Sequence, residues 1–181
     1  MKKMVLTLGL VVIASSAFAA SLSVPWFVDN APNAVGPIPS GAVGSVAVVY
    51  LHNNYDKDVL CRITYYSELG VKQDFASGVS DTFVIPALST INFRPVAVND
   101  TGTLPQESAA GAAVPDRPTD TAIPGNDGKK NGSLVIEWAV PDDVDPAQGN
   151  GMINGIVTQA RRDANGFFTW GTLLPTGFSK N

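Results

Sequence analysis

Charged residues, cysteine and histidine are all scarce in this chain of 181 residues, and each scarcity excludes a class of protein. Charged side chains make up 15% of the sequence, against about a quarter in an ordinary soluble protein. A mainly helical protein is disfavoured, because the solvent-facing sides of helices carry many Lys and Glu. The single cysteine, Cys61, excludes an intramolecular disulfide and a cysteine-rich metal site, and the single histidine, His52, excludes a metal site with paired histidines.

Basic residues are also in the minority, and the formal net charge is −4. Nucleic acid is not predicted as a partner, because phosphate binding requires clustered Lys and Arg. Apolar residues, in contrast, are plentiful at 45%, which suits a folded protein rather than a disordered one. The length suits one domain with its own core.

Residues 1–19 have the features of a signal peptide. Lys2 and Lys3 precede the uncharged run Met4–Ala14, and the small-x-small sequence of residues 17–19 fits a cleavage site. The run is short for a transmembrane helix, and no later stretch is apolar enough to be one. We therefore expect cleavage after Ala19 and export of the mature protein to the periplasm, the cell surface or the exterior of a bacterium.

Apolar and polar residues alternate with a period of two along much of the mature chain. In Val59–Tyr66, the side chains of Val59, Cys61, Ile63 and Tyr65 share one face, which places Cys61 in the core. Further strands are predicted at 22–28, 44–51, 71–75, 81–85, 89–94, 133–140, 152–160 and 167–174. Turn residues separate these segments, so the sequence predicts an all-β fold over residues 20–181. We expect an antiparallel β-sandwich, Ig-like or jelly-roll-like, with long surface loops.

Two loops interrupt this pattern, and each provides candidate binding residues. The segment 98–132 is rich in Gly, Pro and Ala, and we interpret it as a long loop insertion. The segment 141–151 is acidic, and its Asp142, Asp143, Asp145 and Asn150 are candidate calcium ligands. The alternative is an ordinary turn, because prolines lie on both sides and the spacing differs from that of an EF-hand loop.

Two aromatic residues are candidates for contact with a sugar. Trp26 follows a proline on the predicted edge strand 22–28, and Tyr55 lies in the turn 52–58. Exposed aromatic rings on β-sandwiches stack against the CH groups of pyranose rings. These two residues therefore make a carbohydrate-binding module one alternative for the function.

Catalytic residues are not grouped in any pattern that we can interpret. His52 is the only histidine available to a Ser-His-Asp triad, and the sequence has no Gly-x-Ser-x-Gly motif. Glu68 and Glu137 are not placed as a pair of the kind that glycoside hydrolysis uses. We therefore expect a protein that is not an enzyme and needs no cofactor.

The runs YLHNNYDKDVLCRITYYSELG and FVIPALSTINFRP have a distinctive order. An Asn-rich turn precedes a strand ending in paired aromatics, and an apolar-Pro-Ala segment later leads into an aromatic-Arg pair. Over Val46–Pro95 this order resembles the β-sandwich of the sensory rhodopsin transducer family and similar bacterial Ig-like modules. The resemblance implies a sandwich that forms oligomers and binds partners or small ligands without catalysis. The insertion 98–132 and the export signal depart from that family, which is cytoplasmic, and no binding residue is carried over.

Together these observations predict an exported bacterial β-sandwich that acts in binding or in surface or periplasmic assembly, with a protein partner or further copies of itself. Leu22–Val28 would then be an edge strand able to extend a neighbour's sheet. A carbohydrate-binding module is the first alternative. A small outer-membrane β-barrel of eight strands is the second, although the many prolines and the charged Arg62 and Glu137 on strand faces disfavour it.

Overall fold

The strands of this protein form two antiparallel sheets that pack face to face, as predicted. The computed structural model describes residues 20–28, 44–95, 108–118, 131–163 and 166–174. The predicted signal peptide and most of the predicted insertion lie outside these residues. In the described chain the helical segments are short 3-10 turns, and none has the length and hydrophobicity needed to cross a membrane.

Each sheet combines strands that are distant in the sequence. The first sheet contains β1 Ala20–Val28, β3 Val59–Ser67, β4 Lys72–Gln73, β5 Thr82–Ile85 and β7 Asn131–Trp138. The second contains β2 Gly44–Asn53, β6 Thr90–Phe93, β8 Ile153–Asp163 and β9 Gly166–Leu173. The orders are β1-β7-β3-β4, with β5 also paired to β3, and β6-β2-β8-β9. The described strands therefore form two open sheets rather than one closed sheet.

The core lies between the sheets and follows the period of two. The inward side chains of β3, namely Val59, Cys61, Ile63 and Tyr65, are all buried, as the alternation predicts. β2 lies in the sheet opposite β3, so the turn between them crosses from one layer to the other. The prediction at 71–75 was too long, because only the two residues of β4 pair there.

β1 is an edge strand, as predicted, and it is also a part of the core. Leu22, Val24 and Phe27 are at most 1% exposed. The pairing of β1 with β7 shifts register between Val24 and Phe27, so Pro25 and Trp26 form a bulge. Proline cannot donate a ladder hydrogen bond, and bulges disrupt pairing along an edge. The bulge therefore disfavours the predicted addition of this strand to a neighbour's sheet.

Residues 108–118 of the predicted insertion pack against the sandwich, and the last two residues of that insertion, 131 and 132, are not loop but the start of β7. The Ser108 N–H donates to the Asn92 carbonyl over 3.3 Å, and the Ser108 hydroxyl accepts from the Asn92 N–H over 3.2 Å. On the other sheet, the Tyr65 hydroxyl donates to the Pro115 carbonyl over 3.0 Å. Gly111 fits here because a Cβ would lie 1.7 Å from the Asn92 carbonyl oxygen. This segment therefore covers the edge of β6 and joins the two sheets, which a surface loop would not do.

Candidate functional site

Three side chains meet at the end of the sandwich where the turn 54–58 contacts the loop 141–152. The Tyr55 hydroxyl donates to Asp143 Oδ1 over 2.8 Å, although the two residues are 88 positions apart. Lys57 Nζ donates to Asp143 Oδ2 over 2.7 Å and lies 5.4 Å from the centre of the Tyr55 ring. One carboxylate therefore joins two residues of the opposing turn, and we name these three residues the Tyr55–Lys57–Asp143 cluster.

Asn53 gives the turn its shape. Its side chain is fully buried, and Nδ2 lies within hydrogen-bond distance of the carbonyls of Lys57, Ile85 and Pro86, at 2.9, 3.2 and 3.1 Å. Asn53 Oδ1 accepts from the Tyr55 N–H over 2.9 Å. This is an Asx-turn, in which a short amide side chain replaces a backbone partner. It fixes Tyr55 and Lys57 relative to the body of the sandwich.

The facing loop is also tied to the sandwich. The indole N–H of the buried Trp138 donates to the Gly149 carbonyl over 3.0 Å, and Asp145 caps the 3-10 helix Pro146–Gly151. Asn54 of the turn also donates two hydrogen bonds to this loop. Its side-chain amide donates to the Gly151 carbonyl, and its backbone N–H donates to the Met152 carbonyl. The two loops therefore have a fixed relative position before any ligand binds.

An open cavity of about 440 Å³ lies between the two loops, and we name it the loop-end pocket. Its lining combines an aromatic ring, carboxylates, side-chain amides and aliphatic groups. The lining residues are Asn54, Tyr55, Asp143, Val144, Asp145, Gln148, Gly151 and Met152. Such a surface offers hydrogen-bond acceptors and donors beside an aromatic ring, which suits a polar ligand with some apolar surface.

The cluster carries two opposite charges that support each other. The hydrogen bond from Lys57 lowers the pKa of Asp143 below its ordinary value, and the Tyr55 hydroxyl contributes in the same direction. In return, the hydrogen bond to Asp143 raises the pKa of Lys57, with Tyr55 again adding to the effect. Both groups therefore remain ionised at neutral pH, and the contact between the loops persists there.

We expect this contact to weaken only in acid. Because the folded pKa of Asp143 lies below 3.8, its contribution to stability is present above that pH and is lost as the pH falls through the folded value. A carboxyl-carbon NMR titration should give a midpoint for Asp143 below 3.8. In Lys57→Met the midpoint should rise towards the ordinary value, whereas Lys72→Met serves as the control. A midpoint that Lys57→Met leaves unchanged would contradict this assignment.

The structure separates the two predicted sugar-binding aromatics. Trp26 is 45% exposed, as predicted, whereas Tyr55 is half-buried and hydrogen-bonded. Phe27, next to Trp26, pairs with Gly132, which pairs with Ser67 at the end of β3. Tyr55 lies beyond the start of the same strand, so the length of β3, about 26 Å at 3.3 Å per residue, separates the two rings. They do not form one sugar-binding platform.

The four predicted calcium ligands are not brought together either. Among the described residues, no three Asp, Glu, His or Cys side chains are grouped so that they could hold a metal ion. Asp143 is bonded to Lys57 and Tyr55, and Asp145 accepts from the Ala147 N–H. The spacing of these acidic residues therefore reflects the capping of a turn and the contact between the two loops. The sequence analysis missed Lys57, whose partner is distant in the chain, although it identified the turn that contains Lys57.

Cys61 has the core position that the alternation predicts, whereas His52 lies half-buried in β2 and not in the predicted turn 52–58. Cys61 is fully buried, and burial raises the pKa of its thiol to about 12. The thiol is therefore protonated at neutral pH and is not a nucleophile there. His52 Nδ1 lies 3.0 Å from the Thr90 hydroxyl on the neighbouring strand.

Comparison with known proteins adds one structural similarity. No protein-family model matches the chain, and no curated protein sequence matches it. A solved structure, described as that of Thermotoga maritima 1070, is similar to this chain with a TM-score of 0.44 and 14% sequence identity. The similarity covers 88% of this chain and 95% of the other.

Proposed function

We propose that this protein is an exported bacterial binding protein without catalytic activity, and that the loop-end pocket is its binding site. The observation that carries the proposal is the Tyr55–Lys57–Asp143 cluster, which fixes two sequence-distant loops around an open cavity. A site whose parts are already held in place loses little conformational freedom when it binds. Binding surfaces on rigid scaffolds are commonly built from loops in this way.

Three features support the other parts of the proposal. The export signal of residues 1–19 supports a location outside the cytoplasm. A protonated, buried Cys61 supports a role without nucleophilic catalysis. The resemblance of Val46–Pro95 to sensory rhodopsin transducer proteins supports assembly into an oligomer as a second candidate, which light scattering on the mature protein would test.

A saccharide is the ligand class that fits the pocket best. Tyr55 contributes its aromatic ring to the lining, and Asn54, Gln148 and Asp145 offer the amide and carboxylate groups that hydroxyls bond to. The ring is held by its own hydroxyl, so it would not need to be ordered on binding. Trp26 lies at the other end of β3 and is not part of this site.

Binding of the mature protein to a broad panel of glycans tests the proposal. We expect retention that is lost in Tyr55→Ala and weakened about tenfold in Tyr55→Phe, which keeps the ring and loses the bond to Asp143. Trp26→Ala is the matched control and should bind normally, because its ring is remote from the pocket. Loss of retention in Trp26→Ala alone would place the site elsewhere. No retention on any glycan would reject the saccharide as ligand.

A further inference from the structure

Three exposed aliphatic side chains lie on β5, on its ladder partner and in the turn that follows β5, outside the lining of the loop-end pocket. Leu60 is 51% exposed, Val84 is 42% exposed and Leu88 is 63% exposed. Leu60 and Val84 are direct partners in the β3–β5 ladder, on the outer face of the first sheet. Leu88 follows β5 in the turn that leaves this strand. We name these three residues the β5 edge surface.

The backbone of β5 also offers hydrogen-bonding groups at this surface. The Ile63 N–H donates to the Asp81 carbonyl, so Phe83 and Ile85 direct their backbone groups towards β3. The backbone groups of Thr82 and Val84 must then point to the opposite side, where the described chain has no further strand. The Thr82 N–H donates a hydrogen bond to the Ser80 hydroxyl. In the part of the chain that the structure describes, no strand pairs with the N–H and carbonyl of Val84 on that side.

Other edges of the sandwich are protected in ways that β5 is not. β1 carries the bulge at Pro25 and Trp26, and Ser108 covers β6 through its two bonds to Asn92. Bulges, prolines and covering segments are the usual means by which sheet edges avoid pairing with other chains. Within β5 itself there is no proline, charged residue or bulge. Among the described residues, its protection is limited to its short length and to Asp81 and Pro86 at its two ends.

Leu88 is held in a conformation that costs energy. Its φ is +51°, in the left-handed region that a side chain disfavours. Two hydrogen bonds from the backbone of this turn to the turn 54–58 hold the conformation. Ala87 N–H donates to Asp58 Oδ1 over 2.9 Å, and Leu88 N–H donates to the Tyr55 carbonyl over 3.0 Å. A glycine would adopt this backbone without strain. The structure instead presents a large apolar side chain to solvent there, and strain of this kind is concentrated at binding sites.

The charges around the surface indicate what could bind it. Asp56 and Asp58 are exposed in the turn that bonds Ala87 and Leu88, whereas Asp81 at the other end is paired with Arg62 over 3.3 Å. Lys57, which lies between the two acids in the sequence, is paired with Asp143 over 2.7 Å. We propose that the β5 edge surface binds an extended segment of another protein, with apolar side chains in its middle and lysine or arginine at the end that meets Asp56 and Asp58. The segment pairs with Val84 and packs on Leu60 and Leu88.

A labelled synthetic peptide, Lys-Lys-Thr-Val-Thr-Val-Thr-Lys-Lys, tests this on the full mature protein. We expect it to bind, to slow hydrogen exchange at the Val84 amide, and to bind about tenfold or more weakly to Leu88→Ser. Leu69→Ser is the matched control, because Leu69 is 75% exposed in the turn at the other end of β3. Tyr55→Phe should also bind normally, which separates this surface from the loop-end pocket.

Two further peptides determine whether the recognition is of the kind proposed. The same core with glutamate ends should bind about tenfold more weakly at low salt. An N-methyl group on the central threonine and its flanking valines should abolish binding, because it removes strand pairing. Equal binding of all three peptides, or no change at the Val84 amide, would overturn the proposal. Self-association of the protein that Leu88→Ser abolishes would assign the surface to a second copy of this chain instead.

Discussion

Trp138→Ala is expected to lower the free energy of unfolding by about 3–5 kcal/mol, the cost of removing a large aromatic ring from a core. Trp138 is fully buried in β7, the strand that joins β1 to β3, and its ladder partners are Ala20 and Cys61. The alanine would leave a cavity in the core at the end of β7. It would also leave the Gly149 carbonyl without the bond it receives from the indole N–H.

Two other variants separate these effects in chemical denaturation followed by circular dichroism. Trp138→Phe keeps a buried aromatic ring but loses the hydrogen bond and part of the indole volume, so we expect a smaller cost, of about 1–3 kcal/mol. Glu137→Ala changes the next residue on the outer face and should cost less than about 1 kcal/mol. A loss in Trp138→Ala no larger than that in Glu137→Ala would contradict the packing described here.

Asn53→Ala is expected to cost about 3 kcal/mol, because each buried polar group left without a partner costs about 1–3 kcal/mol. The variant removes the amide that lies near the carbonyls of Lys57, Ile85 and Pro86 and the oxygen that accepts from Tyr55. The turn would lose its shape. Tyr55 and Lys57 would then no longer be held against Asp143, so the titration midpoint of Asp143 should rise.

The neighbouring amide provides the matched control for this prediction. Asn54 is exposed, and its side chain makes one bond, to the Gly151 carbonyl. Asn54→Ala should therefore cost less than about 1 kcal/mol. Asn53→Asp keeps the acceptor for the Tyr55 N–H and loses the donors, so it should destabilise almost as much as Asn53→Ala. If the two alanine variants cost the same, the buried amide does not have the role that we assign to it.

The position of β1 changes how assembly should be tested. A deletion up to Val28 would distinguish strand exchange only if the rest of the chain stayed folded. The deletion would remove Leu22, Val24 and Phe27, which are buried in the core, and leave the edge of β7 unpaired. We expect it to unfold the protein, so oligomer loss in that variant would say nothing about strand exchange.

The strands could be predicted because their signal is local. In β3, side chains of alternating polarity indicate which face is buried, and in β2 the run of apolar residues indicates burial on both faces, where Ser45–Val49 are indeed buried. The segments predicted as strands at 152–160 and 167–174 likewise form β8 and β9, which pair with each other. Each of these inferences uses neighbours within about ten residues.

The candidate site could not be predicted in the same way. The contact of Tyr55 with Asp143 depends on a turn that crosses between the sheets and on a loop that follows a different strand. Nothing in the spacing of Asp142, Asp143 and Asp145 distinguishes a calcium site from a set of caps and ion pairs. The side chains that decide the matter, Lys57 and Asn53, lie on another part of the chain.

The order of residues alone therefore determined which segments are extended, which of their faces are apolar, and that few reactive groups are available. Tertiary structure decided the sheet to which each strand belongs, the cover that residues 108–118 give to β6, and the meeting of Tyr55, Lys57 and Asp143. The physical reason is the sequence distance over which each kind of interaction acts. Alternation and turn chemistry act between near neighbours, whereas the position of a loop depends on how both sheets pack together.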